Sequence, residues 1–283
     1  AGVLKPQYAA ITNIGTAHIG ILGSRQNIAA EKRKIFDYIP ASGAAVIPES
    51  DDFSEFLGEN VKGRIVKYGT SVSTEESGVL FVSDNGLDGT SFTVEGYEVN
   101  FKMPGVYNFQ NVLAALALAR CLGVPADKAA EALNEVEGVS GRTESVPLCL
   151  RSGINVTLLK DCYNANPDSM ISVMDFCSKL DNVNHKIYVL GDMLELGTRS
   201  AEEHARIGAE AVASDPYMLI FIGREMAYAA AAAKSAGFEN TLYIQDMDDE
   251  GKDLAAQFLI DCTSEGDMIL LKGSHGMQME RII

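Results

Sequence analysis

The sequence predicts an α/β protein in which a mixed sheet with helices is followed by a doubly wound, Rossmann-like domain. In the second half of the chain, short apolar runs alternate with helical patterns, which is typical of a mostly parallel sheet. Residues 78–103 instead show period-two patterns broken by Asn-Gly and Asp-Gly, which predict antiparallel hairpins. A glycine-rich hinge at residues 138–142 lies between the two patterns. We therefore expect one domain over residues 1–142 and a second over residues 143–283.

Composition and charge narrow the class of protein. With 283 residues, of which 47% are hydrophobic and 22% charged, the chain is typical of a globular protein with a substantial core. Its formal net charge of −16 is unsuited to nucleic-acid binding, which needs clustered Lys and Arg. No apolar run is long enough to span a bilayer and the first residues do not form a secretory signal, so we expect a cytoplasmic protein without membrane insertion. The five cysteines include no C-x-x-C pair, which favours reduced thiols over disulfides or a zinc site.

The individual elements follow from apolar spacing and from start and stop residues. Ser24 is a suitable N-cap for the first long helix, which Pro40 closes, while Pro167 and Asp168 mark the start of a helix past the midpoint. Strands are predicted at residues 8–15, 44–48, 64–68, 145–150, 154–159, 186–190, 218–222, 241–244 and 268–271. Helices are predicted at residues 25–39, 108–122, 125–137, 169–180, 201–213, 224–236 and 252–261.

Polar residues follow several of the predicted strands of the second domain. The longest such stretch, residues 160–170, places two Asn, two Asp, a Ser and a Tyr between a strand and a helix, and shorter clusters begin at Gly191, Gly223 and Lys272. Because the carboxyl ends of parallel strands lie at one edge of a sheet, where α/β folds bind ligands, these clusters predict a binding site. The alternative for residues 160–170 is an Asn-rich turn, since Asn readily hydrogen-bonds nearby backbone.

One lysine stands out in the first domain. Lys32 falls in the middle of an apolar helical stripe, whereas Arg33 and Lys34 point elsewhere; the stripe consists of Ile28, Ile35, Phe36 and Ile39. A buried ammonium is costly, so the side chain either extends along the surface to reach water or is held neutral and used chemically. A neutral amine can react with carbon dioxide to form a carbamate.

Two asparagines mark the start of a later helix. Asn108 and Asn111 lie one turn apart, so both amides can face one ligand. Helix capping is an equally good explanation for Asn108.

Several motifs, in this order along the chain, resemble those of the Mur ligases. They are T-N-I-G-T-A-H at residues 12–18, Gly23-Ser24, Lys32, D-C-Y-N-A-N-P-D-S-M at residues 161–170, G-D-M-L-E-L-G at residues 191–197, His204 and K-G-S at residues 272–274. The resemblance covers essentially the whole chain. It implies the C-terminal part of a central ATP-binding domain over residues 1–142, followed by a Rossmann-like ligase domain over residues 143–283.

The resemblance also implies an activity. ATP would phosphorylate the terminal carboxylate of UDP-N-acetylmuramoyl-tripeptide, and the amine of D-alanyl-D-alanine would attack the acyl phosphate to form an amide bond for peptidoglycan. The cofactors would be ATP and Mg²⁺, and we expect a monomer. His18 and Lys32 would be the catalytic and metal-binding residues, with Lys32 present as a carbamate.

The remaining roles come from the same resemblance. The nucleotide would be contacted by Asn108, Asn111, Arg142 and Asp161, and the acceptor substrate by Asn164, Asn166 and Ser169. Three positions differ from the family pattern: Gly20 stands where Glu is usual, Tyr107 where His is usual, and His275 where Arg is usual.

One expected motif does not occur in these 283 residues. The family cradles the ATP phosphates with a G-x-x-G-K-[ST] loop, which this sequence lacks. We therefore expect a fragment of such a ligase that is inactive on its own. The alternatives are a non-catalytic module that binds a nucleotide or peptide, and a related ligase of the Mur or folylpolyglutamate type that adds another amino acid.

Overall fold

The computed structural model describes residues 2–138, 140–246 and 248–283. The chain divides into two compact units, Ala1–Glu137 and Gly138–Ile283. Among the described residues, no helix is long and apolar enough to cross a membrane.

The first unit holds two three-stranded sheets. The strands β1 (Tyr8–Ala10), β2 (Ala44–Pro48) and β3 (Arg64–Tyr68) form a parallel sheet in that order, and β4 (Val79–Asp84), β5 (Thr90–Val94) and β6 (Tyr97–Phe101) form an antiparallel one. The helices are α1 (Ile19–Leu22), α2 (Arg25–Arg33), α3 (Ser54–Gly58), α4 (Thr74–Ser77), α5 (Val106–Cys121) and α6 (Ala126–Glu135). The predicted antiparallel insertion is thus confirmed.

Helix α5 joins the two sheets of this unit into one core. Its Phe109 packs in a buried cluster with Val46 of the parallel sheet and Phe92 of the antiparallel sheet. The ring centroids of Phe92 and Phe109 lie 5.1 Å apart, within the range of favourable aromatic pairs.

Two predicted elements of this unit are shorter in the structure. The strand predicted over residues 8–15 ends at Ala10, because side chains hold the backbone of the next residues. The helix predicted over residues 25–39 ends at Arg33 and continues as a 3₁₀ turn, Phe36–Tyr38, since the Ile39 N–H bonds Phe36 O. Its predicted cap is confirmed, with Ser24 Oγ accepting the Asn27 N–H at 3.1 Å.

The second unit is built on one six-stranded sheet in the order β11-β10-β9-β12-β8-β7. The strands are β7 (Glu144–Cys149), β8 (Asn155–Asp161), β9 (Lys186–Gly191), β10 (Met218–Ile222), β11 (Thr241–Ile244) and β12 (Met268–Lys272). The helices are α7 (Pro167–Ser178), α8 (Ser200–Ala213), α9 (Met226–Ser235) and α10 (Asp249–Cys262). Only the edge strand β7 runs antiparallel to its neighbour.

The sheet of the second unit is covered on both faces. Ala255 and Leu259 of α10 pack with Ile187 and Val189, whereas α7, α8 and α9 contact one another in series. The chain steps from β9 outward to β11 and returns to place β12 between β8 and β9, so right-handed crossovers put α10 on the opposite face. The predicted doubly wound, Rossmann-like fold is confirmed.

Candidate functional site

In the first unit, the loop after β1 is held by side chains that reach its backbone carbonyls. The Tyr68 hydroxyl donates to Ile11 O (3.1 Å) and Thr12 O (2.7 Å). Lys32 Nζ donates to Asn13 O (2.9 Å), and the Arg25 guanidinium donates to Ile14 O (3.0 and 3.2 Å). Four consecutive carbonyls are therefore fixed, which explains why this segment leaves the sheet.

Asp51 also holds this loop, through a backbone N–H group. Its two carboxylate oxygens accept the N–H groups of Ile14 (2.8 Å) and Phe53 (2.9 Å). Asp51 follows β2, so the rule that polar residues after parallel strands mark a site would have identified it. Asp51 is not among the site residues that the sequence motifs predicted.

Lys32 is half-buried, and burial makes its charged form less favourable than that of an exposed lysine. Burial lowers the pKa of the Lys32 ammonium below its usual value, and the negative charge of Asp51 opposes this shift only in part. By contrast, Arg33 Nε donates to Phe56 O (3.0 Å) and Lys34 pairs with Glu31. Both cations therefore point elsewhere than Lys32, as predicted.

The other candidates of the first unit lie at or near the starts of two helices. His18 is exposed and precedes α1 in a left-handed backbone conformation (φ 63°). Asn108 is buried (8% exposed), and its Nδ2 donates to Pro104 O at 2.7 Å, whereas Asn111 is exposed. The amide of Asn108 thus fixes the start of α5, and Asn111 is the more accessible of the two for a ligand.

In the second unit, a buried ion pair organises the carboxyl edge of the sheet. Lys272, at the end of β12, is 1% exposed and its Nζ lies 2.6 Å from Asp161 Oδ2 at the end of β8. The same ammonium donates to Asn164 O (3.1 Å), and Asp161 Oδ1 accepts the Thr143 N–H (3.1 Å). Lys272 therefore orients Asp161, which is predicted to bind the nucleotide, and anchors the loop that follows Asp161.

Two of the three predicted acceptor-binding residues form a helix cap. Asn166 Oδ1 accepts the Ser169 N–H (3.0 Å), and Ser169 Oγ accepts the Asn166 N–H (3.2 Å), which is a reciprocal capping box at the start of α7. Asn164 is exposed. The turn interpretation and the binding interpretation are thus compatible, because capping leaves the Asn166 Nδ2 without a partner among the described residues.

An exposed stack of three side chains lies beside this loop. The guanidinium of Arg142 sits 4.0 Å from the ring centroid of Tyr163, within cation–π range. The ring centroids of Tyr163 and His275 are 5.7 Å apart. Both Arg142 and His275 thus face the loop that holds Asp161.

A second polar network supports the neighbouring loops. Asp192, after β9, accepts the Met226 N–H (2.9 Å), and burial raises the pKa of its carboxyl. A Cβ on Gly223 would lie 2.3 Å from Asp192 Oδ1, so that position requires glycine. Fully buried His204 accepts the Met193 N–H through Nε2 (3.0 Å). We assign this network to loop positioning.

The described residues contain no group of three or more His, Cys, Asp and Glu side chains that could hold a metal ion. Mg²⁺ prefers oxygen ligands, and each oxygen of Asp51 already accepts one backbone N–H group. The ammonium of unmodified Lys32 offers a metal ion no oxygen. A carbamate on Lys32 would supply oxygen ligands.

Fold and site define a two-unit α/β protein that joins a parallel sheet with an antiparallel insertion to a Rossmann-like sheet with a polar carboxyl edge. Residues 1–119 match the Mur ligase middle domain, and residues 141–275 match the domain described as "Mur ligase, glutamate ligase domain". The chain belongs to the Mur ligase family.

Individual relatives and solved structures point to the same family. The UDP-N-acetylmuramoyl-tripeptide–D-alanyl-D-alanine ligase of Treponema pallidum is 36% identical over 100% of this chain and 58% of its own length. The crystal structure of MurF from Acinetobacter baumannii has a TM-score of 0.80 and 26% identity over 99% of this chain and 59% of its own. MurF from Thermotoga maritima, solved in complex with ADP, shares the fold, with a TM-score of 0.75 and 21% identity over 98% of this chain and 60% of its own. The chain thus spans less than two thirds of the length of these proteins.

Proposed function

We propose that this chain is part of an ATP-dependent amide ligase that joins D-alanyl-D-alanine to UDP-N-acetylmuramoyl-tripeptide in peptidoglycan synthesis. Residues 1–142 would be the C-terminal part of the ATP-binding domain, and residues 143–283 the ligase domain. We further propose that the protein is cytoplasmic and acts as a monomer. The continuous similarity to the Treponema pallidum ligase along the whole chain supports this substrate assignment.

Lys32 is the observation that carries the proposal. Lys32 is a half-buried amine with a lowered pKa, and its Nζ reaches the loop that leads to His18. Carbamylation would convert this costly cation into an anion with two oxygens. Lys32 as a carbamate, together with His18, would hold Mg²⁺, which would offset the negative charge of the ATP phosphates.

The other residues would bind and orient the substrates. In the first unit, Asn111 would contact adenine directly, and Asn108 would do so while fixing the start of α5. In the second, Asp161, oriented by Lys272, and Arg142 would hold the ribose or the phosphates. The acceptor would meet Asn164, Asn166 and Ser169.

Ligation and binding assays test this function. The 283-residue chain and the full translation product of its gene would be incubated with ATP, Mg²⁺ and both substrates, and phosphate release and pentapeptide formation measured. We expect no turnover by the 283 residues and turnover by any longer form that includes a phosphate loop. In that form, Lys32→Ala abolishes turnover and small carboxylates restore part of it. A Lys32→Ala variant with normal activity would rule out the carbamate.

A non-catalytic binding module is the second candidate, favoured by the lack of a G-x-x-G-K-[ST] motif in these residues. Calorimetric titration of ADP and D-alanyl-D-alanine separates the two. Binding of either ligand, with no turnover by the full translation product, would support the module and contradict the ligase.

A further inference from the structure

A cleft in the first unit runs along the open edge of β3. Its volume is about 560 Å³, and one wall is formed by residues 64–69, which are all of β3 and the next residue. Leu113, Leu116 and Ala117 of α5 line it, and Val79 at the start of β4 stands in another wall. None of the residues assigned above to nucleotide, metal or acceptor binding lines the cleft.

The edge of β3 offers unused backbone hydrogen-bonding groups. Among the described strands, β3 pairs only with β2, and its Arg64 N–H and Tyr68 C=O are both bonded on that side. Because backbone groups alternate in direction along a strand, those of Ile65 and Lys67 point away from β2. In the described part of the chain these groups have no hydrogen-bond partner.

Three cations surround the cleft in a protein with a net charge of −16. Among the described residues, neither Arg64 nor Lys67 has a carboxylate within 4.0 Å, so no ion pair neutralises either charge. Arg120 is held in place because it donates to the Glu76 and Ser77 carbonyls, both at 2.7 Å. One carboxylate, that of Glu76, lines the same cleft.

These features together describe a peptide-binding edge. Extended peptides add to exposed strands through main-chain hydrogen bonds, and pockets for alternate side chains give specificity. Here the backbone groups of Ile65 and Lys67 would pair with the peptide, apolar side chains would enter the α5 side of the cleft, and acidic side chains would meet the cations. We propose that β3 is a docking strand for an extended, acidic segment of a partner protein.

A designed peptide tests this proposal. The probe is fluorescein-labelled Glu-Val-Glu-Val-Glu-Val with an amidated C-terminus, titrated with the 283-residue chain and followed by fluorescence anisotropy. We expect saturable binding of this peptide and much weaker binding of Lys-Val-Lys-Val-Lys-Val, although the net charge of the protein favours the basic peptide. An Ile65→Pro substitution removes an outward N–H without removing a β2 bond and should raise the Kd about tenfold.

Matched controls separate strand addition from charge alone. Lys67→Glu should weaken binding, whereas Lys102→Glu, the same charge change at another exposed lysine of this unit, should not. A probe N-methylated at alternate residues, which needs no protein variant, should also bind poorly. The proposal is overturned if the acidic peptide does not bind at millimolar concentration, if N-methylation and Ile65→Pro leave its Kd unchanged, or if sedimentation shows that a second copy of the chain occupies the edge.

Discussion

Lys32 and Lys34 lie two residues apart and have opposite chemical environments. Burial lowers the pKa of Lys32, whereas the hydrogen bond and charge of Glu31 raise the pKa of exposed Lys34. Carbamate formation needs the neutral amine, which adds to carbon dioxide and releases a proton. The neutral fraction grows as the pH rises toward the pKa, so Lys32 becomes reactive at a lower pH than Lys34.

We expect the chain to take up ¹³C-labelled carbon dioxide at Lys32. With ¹³C-bicarbonate and Mg²⁺ at about pH 8, carbon NMR should show a carbamate signal that grows as the pH is raised. Lys32→Arg should remove the signal and Lys34→Arg should leave it unchanged. A signal lost only in the Lys34 variant would show that burial does not select the site.

The buried charge of Lys272 is compensated by its ion pair with Asp161. Breaking a buried pair leaves an uncompensated charge, so Lys272→Met should destabilise the second unit by about 3 kcal/mol. Arg224→Met removes an exposed pair with Asp246, in which the side chains are 78% and 49% exposed, and should cost less than about 1 kcal/mol. Urea unfolding followed by circular dichroism measures both. Equal losses of unfolding free energy in the two variants would mean that burial does not make the Lys272 pair more important than the exposed pair.

At the scale of elements, the start of α7 combines a structural role with the proposed binding role. Asn166→Ala removes the acceptor for the Ser169 N–H and should lower stability by about 1 kcal/mol. Asn166→Asp keeps that acceptor and adds a negative charge at a helix N-terminus, so stability should hold. It also removes the Nδ2 donor, so calorimetry should show weaker binding of D-alanyl-D-alanine. Unchanged dipeptide affinity would limit Asn166 to capping.

Local sequence patterns were sufficient for most of these elements. The strands at residues 44–48, 64–68, 218–222 and 241–244 coincide with the predicted ones, because apolar runs bounded by turn residues determine them. The strand over residues 8–15 was predicted too long, since nothing local shows that Tyr68 and Lys32 reach its carbonyls. Apolar spacing indicates which face of an element is buried, but it does not show which side chains distant in sequence will bond its backbone.

The position of the candidate site could be predicted from the sequence, but the ion pair within it could not. The strand-end rule placed Asp161 and Lys272 at one edge of the sheet, where the structure has them. Their ion pair joins residues 111 positions apart, and the sequence alone does not select that partner for either residue. The roles given to the site residues stay predictions until ligands are measured.

At the scale of the whole molecule, charge opposes the proposed substrates. The net charge of −16 repels nucleotides, and buried Lys272 is neutralised by Asp161. If the proposed function holds, cations at the binding edge, such as exposed Arg142, and Mg²⁺ would have to attract ATP locally. The same net charge repels the acidic peptide, so its binding to the β3 cleft would have to come from local contacts.

The two compact units give a further prediction about the whole chain. Residues 136–138 belong to no helix or strand, and Glu137 is exposed just beyond the end of α6. An endoproteinase that cuts after glutamate should therefore cleave first at Glu137, since loops with few backbone hydrogen bonds open most readily. Exposed Glu131 lies within α6 and should resist longer.

Limited digestion followed by mass spectrometry measures this order of cleavage. We expect two persistent fragments, the second of which begins at Gly138, because each unit has its own packed core. Glu137→Gln should abolish this pair of fragments and leave slower cuts unchanged. If the first cuts fall inside the sheet of either unit, the units do not fold as separate bodies. Persistent fragments would instead allow nucleotide and dipeptide binding to be measured on each unit alone.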